Sequence, residues 1–294
     1  MDIKSQDSNQ ITRDYFNSLL LETRYINSDL ADTKIKLFGQ DFSMPITTAA
    51  LSHLNNTTPD GMTKMAEGAA KSDALCFCGM GELDEFKSMC ATGAKVIKII
   101  KPHEDNNMIF SIIKDCQEAG AFALGMDIDH AFSGNGEYDN VLGLPMKSKS
   151  SKELASFVAA TNLPFIIKGV LSVHDALKAA EIGASGIIVS HHHGIMNSAV
   201  PPLMVLPKIK QALGNKLTIF VDCCIESGMD AFKALALGAD AVCVGRAIMP
   251  PLKEKGADGV REKLMEINGG LRATMNRTGF KTLTQIDDSV IYKC

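Results

Sequence analysis

Some residues of this 294-residue chain carry chemistry where bland residues would be expected. Lys168 lies inside the apolar run FIIKGV. A lysine in a strand buried on both faces is costly, so it is expected to have a task, such as placing a charge beside a reacting group. Three consecutive histidines, His191, His192 and His193, follow Ser190 at the end of another apolar run. Neighbouring residues on an extended segment point different ways, so adjacent imidazoles do not converge readily on one ion. No metal is therefore expected, and one imidazole is read as a general base. Asp222-Cys223-Cys224 and Gly245-Arg246 close two more apolar runs. Backbone N–H groups with an arginine fork suit a phosphate dianion. His53, Cys78, Lys98, Lys101, Asp127, Asp129 and His130 stand at the ends of the remaining runs.

The elements that must position these residues repeat. A helix-like stretch runs into Gly-Ala and then into a short β-rich segment at ATGAKVIKII, EAGAFALGMD, EIGASGIIVS and ALGADAVCVG. Gly93, Gly120, Gly183 and Gly238 fall where a helix ends and a left-handed residue is easiest. Each apolar run that follows reads as a strand buried on both faces. Strands are predicted at 46–49, 75–78, 96–100, 123–127, 165–169, 186–189, 218–222 and 241–245. Helices are predicted at 59–72, 83–91, 105–119, 151–160, 173–182, 203–213, 227–237 and 259–277. Thr58-Pro59 is read as an N-cap with proline at the first helical position, and Ser150-x-x-Glu153 as a capping box. Eight alternations predict an α/β fold, a (β/α)8 TIM barrel in one domain over residues 1–294. Residues 1–44 form an N-terminal extension, with a helix at 12–25 and a hairpin at 34–42 across the barrel's bottom. The active site of such a barrel lies at the C-terminal ends of its strands, where the polar residues above fall.

Composition narrows the function. Hydrophobic residues make up 46% of the chain and charged residues 22%, enough for a large core, and the net charge is −4. No basic cluster favours nucleic acid, and no apolar stretch is long enough to span a membrane. The polar start does not read as a signal peptide. The eight cysteines, Cys294 included, lack zinc-finger spacing and read as reduced thiols of a cytoplasmic protein.

Over nearly its whole length the chain resembles the FMN-dependent α-hydroxy acid oxidases and dehydrogenases, the glycolate and lactate oxidases among them. The resemblance runs through TRDYF, LFGQDFSMPI and PDG, and is densest in FIIKGVLSVHDALKAAEIGASGIIVSHHHG, VDCCIESGMDAFKALALGADAVCVGRAIM and GFKTLTQID. It implies an oxidoreductase with FMN as cofactor and a small hydroxy-substrate. It implies Lys168 beside the flavin's N1 and O2, His192 as catalytic base, and Ser190 in contact with the flavin. It places Asp222 on the ribityl chain, Gly245 and Arg246 on the phosphate, and Ala49 and Ala50 along the ring. Cys78, Lys98 and Cys224 fall at further cofactor-facing positions, and Tyr15 and His193 on the substrate side. Family members are commonly tetramers, so a homo-oligomer is expected; the electron acceptor is left open.

The departures concern the substrate. The arginine that follows the family's catalytic histidine by three residues is Ile195 here, and no arginine follows strand 4 until Arg246. A phosphate-side arginine is replaced by Glu226, and two glycines by Cys223 and Cys224. With Asp127 and Asp129 nearby, an ordinary 2-hydroxy acid is expected to fit poorly. The alternatives are a flavin- or phosphate-binding barrel that has lost or altered its activity, and a non-redox FMN-dependent isomerase.

Overall fold

The computed structural model describes residues 6–293, which leaves Cys294 outside the described residues. Eight parallel strands alternate with helices. The strands are β1 (Ile46–Thr48), β2 (Cys76–Cys78), β3 (Val96–Ile100), β4 (Ala123–Asp127), β5 (Phe165–Val170), β6 (Gly186–Val189), β7 (Thr218–Val221) and β8 (Ala241–Val244). The helices are α1 (Gly61–Lys71), α2 (Leu83–Ala91), α3 (Asn106–Glu118), α4 (Ser151–Ala159), α5 (Val173–Glu181), α6 (Pro202–Leu213), α7 (Gly228–Ala236) and α8 (Met249–Thr278). The strands pair in the order β1-β8-β7-β6-β5-β4-β3-β2. Between β1 and β2 the ring closes through two backbone bonds, Thr48 N–H to Leu75 O at 3.2 Å and Gly79 N–H to Leu51 O at 2.8 Å, and through a side chain. The Thr48 hydroxyl accepts the Phe77 N–H at 2.9 Å and donates to the Phe77 carbonyl at 3.1 Å. It stands in for a ladder rung between these two bonds.

Strand alternation sorts the core into two layers. Phe77, Ile97, Ile99, Ile166, Ile188 and Phe220 fill the barrel. Cys76, Cys78, Val96, Ile100, Leu124 and Met126 face the helices. Phe77 and Phe220 meet edge-to-face at 5.1 Å. The hairpin of Ile35–Leu37 and Gln40–Phe42 plugs the barrel floor, with Leu37 and Phe42 joining the inner layer.

Where the helix boundaries differ from expectation, local contacts explain the shift. Thr58-Pro59 does not cap α1. Asp60 precedes the helix at φ 55°, and Asn55 Oδ1 accepts the Gly61 N–H at 2.9 Å. A Cβ on Gly61 would lie 2.3 Å from the Leu54 carbonyl oxygen, so glycine fits this close approach. The N-terminal helix spans Ser8–Ser18 because Asp7 caps it by accepting the Asn9 N–H, and because Leu19–Leu21 leaves to pair with Ile291–Lys293. α8 starts ten residues earlier than the periodicity suggests and breaks at Gly256, whose φ is 59°. Gly93, Gly120, Gly183 and Gly238 all have positive φ, between 83° and 113°, as their helix-end positions require. Among the described residues no helix is long and apolar enough to cross a membrane.

Candidate active site

Lys168 and Asp127 lie side by side on β5 and β4, paired in register. Lys168 is 5% exposed and Asp127 2%. Lys168 Nζ lies 3.4 Å from Asp127 Oδ1, and Lys101 Nζ lies 2.5 Å from Asp127 Oδ2. One buried carboxylate thus holds two ammonium groups. Burial opposes the charge on Lys168, but Asp127, Asp129 and Asp222 outweigh it and hold the ammonium above its ordinary pKa. Burial likewise opposes ionisation of Asp127, yet Lys168 and His192 keep its carboxyl well below the ordinary range.

His192 enters the same network from the loop after β6. Its Nδ1 lies 2.7 Å from Asp129 Oδ1, 3.3 Å from Asp127 Oδ1 and 3.2 Å from Lys168 Nζ. The backbone there is left-handed, at φ 47°, and the Ser190 hydroxyl accepts the His192 N–H at 3.0 Å. With Asp129 on Nδ1, Nε2 is the ring nitrogen available to a ligand. Burial lowers the imidazole pKa, but Asp127 and Asp129 more than reverse this and raise it above 6.5. Asp129 is itself pushed up to about 6, by burial and then by the charge of Asp127. Gly169, at φ 90°, makes room for Asp129: a Cβ there would lie 2.5 Å from the carboxyl carbon.

The other two histidines are engaged elsewhere. His191 Nδ1 accepts the Gly194 N–H at 2.9 Å, so Nε2 carries the proton and donates to Thr12 Oγ1 at 2.8 Å. His193 is exposed, with Nδ1 2.6 Å from Asn9 Oδ1. The ligand atoms of Asp127, Asp129 and His192 lie within 4.8 Å of one another, a spacing a metal could use. The two ammonium groups already on Asp127 instead make the cluster a proton network.

A cavity of about 380 Å³ opens over this network. Lys168, His192, Lys101 and His130 line it, with Ala49, Ala50, Asp222, Cys223, Cys224, Gly245 and Arg246 among the other lining residues. Cys223 and Cys224 have φ of 67° and 61°, so the chain keeps here, with side chains, the left-handed backbone that glycine favours. Arg246 is exposed and makes no ion pair among the described residues; its Nη2 donates to Asn9 Oδ1 at 3.3 Å. Glu226 is countered by Arg13 of the N-terminal helix, 3.0 Å away. Arg13 also pairs with Asp230 at 3.0 Å and donates to the Cys224 carbonyl at 2.6 Å. The N-terminal helix therefore ties together the loops after β6, β7 and β8.

The residues singled out in the sequence divide. Lys168, His192, His193, Asp222, Cys224, Gly245, Arg246, Ala49 and Ala50 line the cavity, whereas Tyr15, Cys78, Lys98 and Ser190 do not. Cys78 and Lys98 pair in register and lie on the strand face that packs against the helices. The β3-end lysine that reaches the cavity is Lys101. Tyr15 packs into the outer hydrophobic layer beside Phe16. Ser190 supports the His192 loop from below and does not line the cavity. Ile195, at the position of a family arginine, is 41% exposed at the surface. Asp127 and Asp129 do not confront a ligand as two bare negative charges, because Lys101, Lys168 and His192 are paired with them. Sequence reasoning misses the Arg13 contact, which joins residues more than 200 positions apart. His130, bonded to Asp139 at 2.9 Å and edge-on to the His192 ring at 4.8 Å, is visible in the sequence only as a polar residue after β4.

The model of the family described as FMN-dependent dehydrogenase matches residues 3–158 and 146–293. Glycolate oxidase 3 of Arabidopsis thaliana is 28% identical, over 94% of this chain and 85% of its own length. An L-lactate dehydrogenase of Caulobacter sp. (strain K31) is 43% identical over 131 residues, 44% of this chain and 34% of its own. A solved mandelate oxidase with 3,3-difluoro-2-hydroxy-3-phenylpropionic acid superposes with a TM-score of 0.88 at 25% identity, over 98% of this chain and 90% of the other.

Proposed function

The chain belongs to the FMN-dependent dehydrogenase family, and on that premise we propose that it oxidises a small 2-hydroxy acid to the 2-oxo acid, with His192 as base. The observation that carries this reading is the cavity-facing pair of Lys168 and His192, 3.2 Å apart, with Asp129 2.7 Å from His192 Nδ1. The cavity suits FMN. Its lining includes a buried cation, Lys168, an exposed arginine, Arg246, beside a glycine, and the left-handed Cys223-Cys224 backbone. When bound, FMN supplies the hydride acceptor.

The remaining steps belong to the chain. His192 Nε2 takes the substrate hydroxyl proton, and the α-hydrogen leaves with its two electrons as the carbonyl forms. Asp129 holds the ring and stabilises the imidazolium. Lys168 places positive potential where negative charge develops on the reduced cofactor. Lys101 and His130, on the cavity wall, take over the substrate carboxylate that arginines bind in the family. Arg246 and the N–H groups after Gly245 hold the phosphate.

The test is product formation. The FMN-loaded protein, given an artificial electron acceptor and a panel of 2-hydroxy acids, is expected to produce the 2-oxo acid in step with acceptor reduction. A reaction that proceeds only with pre-reduced FMN and leaves the acceptor untouched would instead favour an isomerase.

The raised imidazole pKa sets the pH dependence. The base must be neutral to work, so the rate of FMN reduction rises with pH through an inflection above 6.5. Asp129→Asn removes a carboxylate that holds the imidazolium. It is expected to move the inflection down and slow reduction ~10- to 100-fold; an unmoved inflection in rapid-mixing pH profiles would refute this coupling. Arg13→Ala is expected to weaken FMN ~10-fold or more, because it frees the carboxylate of Glu226, which lines the cavity with Arg246. Fluorescence titration of FMN against the variant measures this.

The same reading takes the protein as cytoplasmic, where its free thiols stay reduced, and as a homo-oligomer, which light scattering tests.

A further inference from the structure

Lys98 is a buried cation that the proposed reaction does not use. It is 6% exposed and lies on the outer face of β3, under α2 and α3. Its hydrogen bond is to the Gly81 carbonyl, at 3.2 Å, and the Phe86 ring centroid is 5.6 Å away. Among the described residues no carboxylate lies within ion-pair distance of it. The nearby thiols cannot serve as counter-ions. Burial raises the pKa of Cys78, Cys90 and Cys116 despite the charge of Lys98, that of Cys116 to about 11, so they stay neutral. A buried ammonium with unspent donors and no counter-ion is rare unless an anion comes to it.

Lys98 lines a cavity of about 240 Å³, separate from the one over His192. Leu83, Phe86, Ile100, Met108, Ile112 and Leu144 give it an apolar wall. Glu82 and Asp115 also line it, but Glu82 is exposed and Asp115 is engaged by the Ser111 hydroxyl at 3.2 Å. His53, Met80 and Lys101 line both cavities, so the two share a wall at the end of β3.

We infer that this second cavity binds a carboxylate on a short apolar chain, with Lys98 as the counter-ion and the α2–α3 wall around the chain. The carboxylate belongs either to a free organic acid or to the far end of a substrate that passes between Met80 and Lys101. As a binding site it does not depend on the proposed reaction.

The test uses the FMN-loaded protein with hexanoate as probe, read by calorimetry and thermal shift. Wild type is expected to bind hexanoate and gain melting temperature, with little response to hexanol. Lys98→Met is expected to weaken hexanoate at least ~10-fold and to abolish the thermal shift. Ile112→Phe, which fills the cavity and keeps the charge, is expected to weaken it similarly. Circular dichroism and FMN content confirm that both variants are folded. Hexanoate that competes with the 2-hydroxy acid substrate in wild type but not in Lys98→Met assigns the site to the substrate's far end. Binding without competition assigns it to a separate acid. No binding by wild type, or equal binding by Lys98→Met, would overturn the inference.

Discussion

Replacing His192 by alanine is expected to slow FMN reduction by substrate ~10³- to 10⁴-fold while leaving FMN bound at wild-type stoichiometry. The size of the effect follows from the lack of a substitute. His191 spends one nitrogen as an acceptor for Gly194 N–H and the other as a donor to Thr12. His193 is exposed and bonded to Asn9 through Nδ1. Neither approaches Asp129, whose Oδ1 lies 2.7 Å from His192 Nδ1. His193→Ala is the control and is expected to cost ~10-fold or less. Cofactor binding is expected to be spared because Lys168, Asp222, Gly245 and Arg246, which line the same cavity, are unchanged in the variant. Anaerobic rapid mixing with absorbance detection separates the two readouts. Unchanged reduction in His192→Ala would remove the base from the account.

The second large effect is expected at Lys168. Lys168→Met removes the buried cation facing the cavity, and is expected to slow FMN reduction ~10²- to 10³-fold, the scale for deleting one preorganised electrostatic group. It should also lower the midpoint potential of bound FMN, which dye equilibration measures without turnover. The fold should survive, because Asp127 keeps Lys101 at 2.5 Å and His192 at 3.3 Å and is not left as a bare buried charge. Lys168 also depresses the His192 pKa, so its loss should raise the inflection of the pH profile. Lys168→Arg should restore part of the potential. A potential unchanged in Lys168→Met would show that this ammonium does not act on the cofactor.

The fold is legible because its punctuation is local. Gly-Ala after four of the helices and the apolar run after each locate four strands of the barrel to within about a residue, and Val96–Ile100, Ala123–Asp127 and Gly186–Val189 coincide with expectation. The same feature hides which way the side chains face. A strand buried on both faces carries no polar alternation, so Val96-Ile97-Lys98-Ile99-Ile100 does not reveal that Lys98 points outward while Ile97 and Ile99 fill the barrel. The sequence therefore points Lys98 at the cofactor, whereas the lysine on the cavity wall is Lys101. Register on the far side of a turn is equally out of reach. His192 is singled out by a left-handed backbone and a contact with Asp129 across 63 positions, neither of which local sequence encodes. The charge exchange at Glu226 is half visible: Glu226 stands out where the resemblance has an arginine, but its partner Arg13 comes from the far end of the chain.

The central claim is that His192 and Lys168 form one site that moves a proton and a hydride from a 2-hydroxy acid. Its most direct measurement is a single anaerobic turnover, in which the FMN-loaded protein is mixed with excess 2-hydroxy acid and the visible absorption of oxidised FMN is followed. Complete bleaching is expected, with one 2-oxo acid formed per FMN and a slower phase when the α-hydrogen is deuterium. FMN that binds stoichiometrically and stays oxidised with every 2-hydroxy acid tried would contradict it, and would leave a flavin-binding barrel without this chemistry.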